Sequence, residues 1–255
     1  MKTAMLAVLL LIPTLAGGQN YSSGMVPYES DILSAKPVRT WLGLGVGGYG
    51  FWHNGNFSPN CDCSFGGEKG GAPMFALDVT RDYPKLGFAI RALLTYYDVS
   101  SEFSYEETRR TVIVGDEPDQ DVRYRKTSDV TLRYIAFTPS FAWYFPQTPI
   151  YVQGGLELGF PLKYRYDNVE RILTPDLVYN DGSSQMTLLA ESDIPGGKSL
   201  RLAAALGAGA DLQLSSMIMI TPQVGVNLPL TTVSSDDSWS VTTVYGLLFL
   251  KIRLW

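Results

Sequence analysis

The chain has 255 residues, of which 45% are hydrophobic and 18% charged, with a net charge of −5 and one histidine. Its charges are interspersed with no basic stripe, which excludes a nucleic-acid partner. Its 25 glycines and 15 tyrosines suit a small β-barrel, where Gly relieves crowding in the lumen and Tyr sits at the lipid–water boundary, and they suit a soluble β-sandwich as well.

Residues 1–18 carry Lys2, an apolar stretch from Ala4 to Leu15 and the small residues Ala16, Gly17 and Gly18, the layout of a secretory signal peptide. No Cys follows the stretch, so a lipoprotein anchor has no thiol at this point, and the stretch is short for a transmembrane helix. Residues 19–39 are polar and read as a periplasmic lead-in, leaving 40–255 as one β domain of about eight to ten strands.

The first strand is predicted over Thr40–Trp52, with Leu42, Leu44 and Val46 toward lipid and Gly43, Gly45, Gly47 and Tyr49 toward a lumen. A glycine-rich loop, 54–72, leads to a second strand over Pro73–Arg81, in which Phe75, Leu77 and Val79 alternate with Ala76, Asp78 and Thr80. Asp82–Lys85 is a tight turn. The third strand, Leu86–Val99, points Phe88, Ile90 and Leu94 outward and Arg91 and Thr95 inward. Ser100–Ser128 is charged and belongs in water, with a hairpin stem expected near Thr111–Val114. The fourth strand, Asp129–Phe145, changes parity between Leu132 and Phe141, for which a bulge near Pro139 would account. Pro146–Pro149 turns into a fifth strand, Ile150–Tyr166. There Ile150, Val152, Leu156, Leu158, Phe160, Leu162 and Tyr164 share one parity, and Gln153, Glu157, Lys163 and Arg165 the other. A long polar loop, 167–198, precedes strands over Leu200–Leu214, Met217–Leu230 and Ser240–Trp255.

The connections alternate long and short down the chain. An outer-membrane barrel has long outer loops, short periplasmic turns, an even strand number and both termini in the periplasm. The expected fold is therefore all-β, an eight-stranded antiparallel up-and-down transmembrane β-barrel in the outer membrane of a Gram-negative cell. Ten strands would require Thr111–Val114 and Val122–Lys126 to pair inside the membrane, where Arg123 and Arg125 leave no apolar band.

The segments Leu132-Arg133-Tyr134-Ile135 with Pro139 and Trp143-Tyr144-Phe145, Pro149-Ile150-Tyr151-Val152-Gln153-Gly154-Gly155, and Ala208-Gly209-Ala210-Asp211-Leu212 carry a resemblance. Over roughly Thr40–Trp255 the chain resembles the small outer-membrane barrels found widely in Bacteroidetes and related bacteria, sometimes grouped with the PorT-like barrels. That resemblance implies a fold and a location, and little about activity. The terminal aromatic Trp255 fits a recognition signal for the barrel-assembly machinery.

Parity directs Asp78, Arg91, Arg133, Glu157, Arg201, Asp211 and Lys251 inward. An eight-stranded barrel is just wide enough for side chains, so the expectation is a plug of mutual ion pairs over a gated ion path or ligand pocket. His53, near Ser58 at the outer end of the first strand, is the one candidate for catalysis, since a rim His activating a Ser is the chemistry of a lipid A-modifying enzyme. Cys61 and Cys63 flank Asp62 and are expected to form a strained local disulfide or to pair with another molecule. A metal site would lack its remaining ligands. Trp41, Trp52, Tyr96, Tyr97, Trp143, Tyr151, Tyr164 and Trp239 read as interfacial girdles. No cofactor is implied. The expected role is a non-enzymatic barrel serving envelope integrity, adhesion or an envelope or secretion assembly, with a lipid A-modifying enzyme and a small pore as alternatives. Its partners would be outer-membrane lipid and lipopolysaccharide, the assembly machinery during insertion, and an envelope protein meeting loops 100–128 and 167–198.

Overall fold

A computed structural model describes residues 38–56, 68–111 and 120–254, and among them there is no helix. The strands are β1 Arg39–Asn54, β2 Lys69–Tyr83, β3 Phe88–Asp98, β4 Ser101–Thr111, β5 Gln120–Tyr144, β6 Ile150–Ile172, β7 Gln185–Asp193, β8 Arg201–Ala210, β9 Leu212–Gln213, β10 Ile218–Pro229 and β11 Ser240–Arg253.

In the order β1, β2, β3, β5, β6, β8, β10, β11, each strand pairs antiparallel with the next, and β11 pairs back onto β1. The result is a closed up-and-down barrel of eight strands, in which closure leaves no edge to aggregate. β9 continues β8 past a break at Asp211 and pairs with β10. β4 pairs only with the first half of β5, and β7 only with the last part of β6. These two strands stand outside the ring; Val122–Lys126 pairs with Tyr105–Arg109 of β4, and Val112–Val114, which the ten-strand alternative and the expected hairpin stem both use, lie outside the described residues. The charged segment from Ser100 to Ser128 is largely strand, making with β6 and β7 a four-stranded sheet β4-β5-β6-β7 beyond the barrel.

Strand alternation sorts the ring by chemistry. Leu42, Leu44 and Val46 of β1 face out, as do Phe75, Leu77 and Val79 of β2, Ile90 and Leu94 of β3, Phe137 and Phe141 of β5, and Leu248, Leu250 and Ile252 of β11. Leu44 is 71% exposed and Phe141 66% exposed. An apolar surface wrapping the whole circumference far exceeds the scattered patches that a water-facing surface carries, and hydrocarbon is the medium it fits.

The parity change expected in the fourth strand has a different origin from a bulge at Pro139. β5 pairs with β3 in unbroken register from Trp143 to Arg133, and its even-numbered residues face inward from Val122 to Tyr144. The medium changes rather than the geometry. Near Phe137, Phe141 and Trp143 the outside is apolar and exposed, whereas farther along Val122, Tyr124, Val130 and Leu132 are buried inside while Arg123, Arg125, Asp129 and Arg133 face out. A strand leaving hydrocarbon for water must exchange which face is oily. The bulge lies instead in β6, where the register with β5 shifts between the partners of Arg133 and Tyr134. Below it the odd residues Tyr151 and Glu157 point inward; beyond it the even residues Tyr166, Asn168 and Glu170 do. Tyr164, assigned outward from sequence, therefore points in, and Lys163 and Arg165 point out.

Inside, the apolar core collects at the long-connection end: Tyr49, Phe51, Val99, Phe103, Val130, Leu132, Tyr166, Ile194, Val233 and Trp239. At the short-turn end the space is filled by long side chains lying over glycines. A Cβ on Gly43 would sit 2.7 Å from Lys251 Cγ, and one on Gly45 2.5 Å from Phe249 Cε1, so these two positions in β1 admit only hydrogen.

Candidate functional site

The lumen is built from inward side chains of all eight ring strands, in two polar tiers. In the tier toward the short turns, Asp78 of β2 receives Arg91 Nη2 of β3 at 3.3 Å and Lys251 Nζ of β11 at 2.5 Å. Thr80 donates to the same carboxylate at 2.6 Å. Arg91 also donates to Gln153 Oε1 at 3.0 Å and lies over the Tyr151 ring at 4.7 Å. The Tyr151 hydroxyl donates to Gln223, whose amide donates to the Tyr245 hydroxyl. Asp211, half-buried at the strand break, accepts from Tyr144 Oη at 2.5 Å and Thr221 Oγ1 at 2.6 Å.

In the second tier Glu157 of β6 is 1% exposed and accepts from Tyr97 Oη at 2.9 Å, Asn227 Nδ2 at 2.5 Å and the Arg201 guanidinium. Arg201 Nη2 donates to the Val241 carbonyl at 2.8 Å, and the stacked rings of Tyr97 and Tyr134 flank the cation. The carboxylates Asp78, Glu157 and Asp211 thus stand against the cations Arg91, Arg201 and Lys251. Buried charges persist only with partners of this kind.

Above these tiers the lumen is lidded. Trp239 and Val233 from the β10–β11 connection and Ile194 from the β7–β8 connection complete the apolar core. The two connections are tied to each other by Lys198 N donating to Val233 O, Ser235 N to Gly196 O and a bridge between Gly197 and Ser234. His53 belongs to this lid. It lies one residue past Trp52, the last outward aromatic of β1, and packs on Phe51, Phe103 and Trp239. Trp239 Nε1 can only donate, so His53 Nδ1 accepts from it at 2.9 Å, and Nε2 carries the proton given to the Val99 carbonyl at 3.1 Å. Burial pushes its pKa down to about 4, the neighbouring Arg201 charge acting in the same direction.

Of the residues singled out from sequence, Asp78, Arg91, Glu157, Arg201 and Lys251 are buried together in the lumen, and Asp211 lies at its edge. Arg133 is a correction: unbroken β5 parity turns it outward, its side chain 46% exposed and its Nε donating to Asp98 at 2.8 Å. His53 is 2% exposed with both ring nitrogens bonded, which leaves no free nitrogen for a base. Ser58, Cys61 and Cys63 lie outside the described residues, as does the expected signal peptide, 1–18. Trp52 and Tyr96 are exposed toward the long-connection end and Trp143 beside the short β5–β6 turn, whereas Trp41, Tyr97, Tyr151 and Trp239 are buried inside. The tyrosines, Gln153, Gln223 and Asn227 that complete the tiers are not among the sequence candidates, although they share the inward parity of those that are.

No protein-family model matches the chain, and no curated protein sequence matches it. Among solved structures it is similar to Ail, the attachment invasion locus protein of Yersinia pestis, in complex with the heparin analogue sucrose octasulfate. The identity is 9% and the TM-score 0.33, covering 84% of this chain and 99% of that one. It is also similar to Neisserial surface protein A (9% identity, TM-score 0.36, 84% and 96% covered) and to a Pseudomonas aeruginosa FadL homologue (10%, 0.20, 86% and 90%). These likenesses assign no family and no role.

Proposed function

We propose that the chain is a non-enzymatic integral outer-membrane β-barrel that acts through its rim, in envelope integrity, adhesion or as a component of an envelope or secretion assembly. The observation that carries the reading is the contrast between its two surfaces. The outside is an uninterrupted apolar belt, and the inside is filled by balanced, mutually bonded charges under an apolar lid. Such a molecule crosses a bilayer and conducts nothing, so its interactions fall to what protrudes. The short turns and both ends of the barrel domain then face the periplasm, and the sheet β4-β5-β6-β7, charged on its outer surface, faces the exterior.

Two experiments test the reading. Reconstituted in planar bilayers, the protein should carry no steady single-channel current; a stable ohmic current would make it a pore. Replacing Glu102–Asp129 by a short Asn-Gly turn should leave the barrel in the outer membrane but abolish complementation of a deletion strain's detergent sensitivity. Full complementation by that variant would place the function away from the rim.

A further inference from the structure

We infer that the outer face of β5 and β6 carries a binding site for the phosphate groups of an outer-leaflet lipid, built from Arg133 and Lys163. The inference rests on the outer-membrane reading above and gives it a ligand. On this face the cross-strand rows can be read outward from the belt. Ile135 pairs with Phe160, beside Tyr96 of β3, and this is the last apolar row. The next outward-facing row is Asp98, Arg133 and Lys163, then Thr131 with Arg165, then Asp129 with Asp167. At about 3.3 Å per residue and a strand tilt near 40°, successive rows differ in height by roughly 5 Å. Arg133 and Lys163 therefore stand at the level where hydrocarbon gives way to lipid head groups.

Two features of the row point to an anion. Like charges directly opposite each other across a strand pair destabilise a sheet, yet Arg133 and Lys163 are partners in register. Asp98 engages Arg133 through Nε alone. Among the described residues, the two Nη groups of Arg133 and the Lys163 ammonium have no protein partner. The second feature is the bulge. On the membrane side of it the odd residues of β6 point into the lumen, so an unbroken strand would aim Lys163 inward. The shift opposite Arg133 and Tyr134 turns it out, beside Arg133 and next to the exposed Leu162. Bulges commonly re-aim a side chain in this way.

The same rows say from which side the anion comes. Arg165, farther out, is held by Glu191 at 3.1 Å, and the row beyond it is the acidic pair Asp129 and Asp167. An anion arriving from water meets repulsion first, whereas one already in the outer leaflet lies against the basic row and beneath the acidic one. The planar guanidinium takes a phosphate through two parallel N–H groups, and the ammonium supplies a point charge beside it.

The test uses the full chain in detergent micelles, with lipid A bearing both phosphates, the same lipid stripped of phosphate, and inorganic phosphate as probes. Bound lipid is counted by native mass spectrometry. Phosphorylated lipid A should bind the R133Q/K163Q protein at least tenfold more weakly than the wild type, from two charges lost near an anionic surface. The stripped lipid should bind both proteins alike, and R171Q, changed farther out on the same face, should bind as the wild type does. Equal binding of phosphorylated lipid A by the double variant and the wild type would overturn the site. Displacement of the lipid by equimolar inorganic phosphate would also overturn it, making it a site for free phosphate. Both proteins must first show heat-dependent migration from the outer-membrane fraction; without it the outer-membrane reading itself fails and the site falls with it.

Discussion

Removing the carboxylate of Glu157 tests whether the lumen is a dry plug. Glu157 is 1% exposed and holds three donors, from Tyr97, Asn227 and Arg201, while Arg201 is itself 4% exposed. Glu157→Gln keeps the shape but leaves the guanidinium without a counter-charge, its remaining acceptors being the neutral Val241 carbonyl and Tyr97 hydroxyl. Breaking a buried pair from one side costs about 3–5 kcal/mol, a hundredfold or more in the folding equilibrium. Arg201→Met, which leaves Glu157 its two neutral donors, should cost about the same or somewhat less. The double variant Glu157→Gln/Arg201→Met removes both charges together and should cost far less than the two singles combined, since neither charge is then left buried without its partner. Urea unfolding of the reconstituted protein, followed by tryptophan emission, yields the cycle. A cost for Glu157→Gln below about 1 kcal/mol, the worth of an exposed pair, would refute the reasoning. So would additivity within about 0.5 kcal/mol. Water would then fill the lumen at Glu157, and the pore alternative would return.

Other outcomes follow from the same geometry. His53 is neutral in the fold, with a pKa lowered to about 4 against an ordinary value near 6.5, so the unfolded chain takes the proton first. Stability should be full above about pH 6.5 and fall by up to about 3 kcal/mol as pH drops toward 4. Because His53 is the sole histidine, the difference in pH dependence between wild type and His53→Phe isolates it; parallel curves would mean the imidazole is not buried. Gly45→Ala places a methyl 2.5 Å from Phe249 and should cost about 1–3 kcal/mol, whereas Gly48→Ala meets nothing nearer than Ala72 O at 3.6 Å and should be silent; equal effects in urea titrations would contradict the inward and outward assignment. Leu44→Arg puts a charge on the belt and should lower stability in lipid by about 2–4 kcal/mol if it lies near the midplane. In a water-facing strand the same change would be neutral.

Much of the barrel was legible because strand parity has period two: the outward faces of β1, β2, β3 and β11 follow directly from their alternation. That signal also placed Asp78, Arg91, Glu157, Arg201 and Lys251 on one interior. It misled at Arg133 because parity was referred to a lipid exterior along all of β5. Beyond the belt the exterior is water, the apolar residues turn inward, and an unchanged backbone reads as a slip. The bulge in β6 was invisible for a related reason, since Leu162 and Lys163 are each plausible on either face until the pairing with β5 is known. β4 and β7 read as loops because their charges fit a water-exposed sheet as well as a coil. The sealing of the lumen depends on tyrosines, Gln153, Gln223 and Asn227 meeting across the barrel, contacts no local pattern encodes.

The central claim, a closed barrel in the outer membrane, meets its most direct test in the electrophoretic mobility of the outer-membrane fraction with and without boiling in detergent. A closed barrel resists unfolding until heated, so the unboiled protein should run as a distinct, shifted band that moves to the unfolded position on boiling. A single position under both conditions, with the protein recovered soluble from the periplasm, would contradict the account.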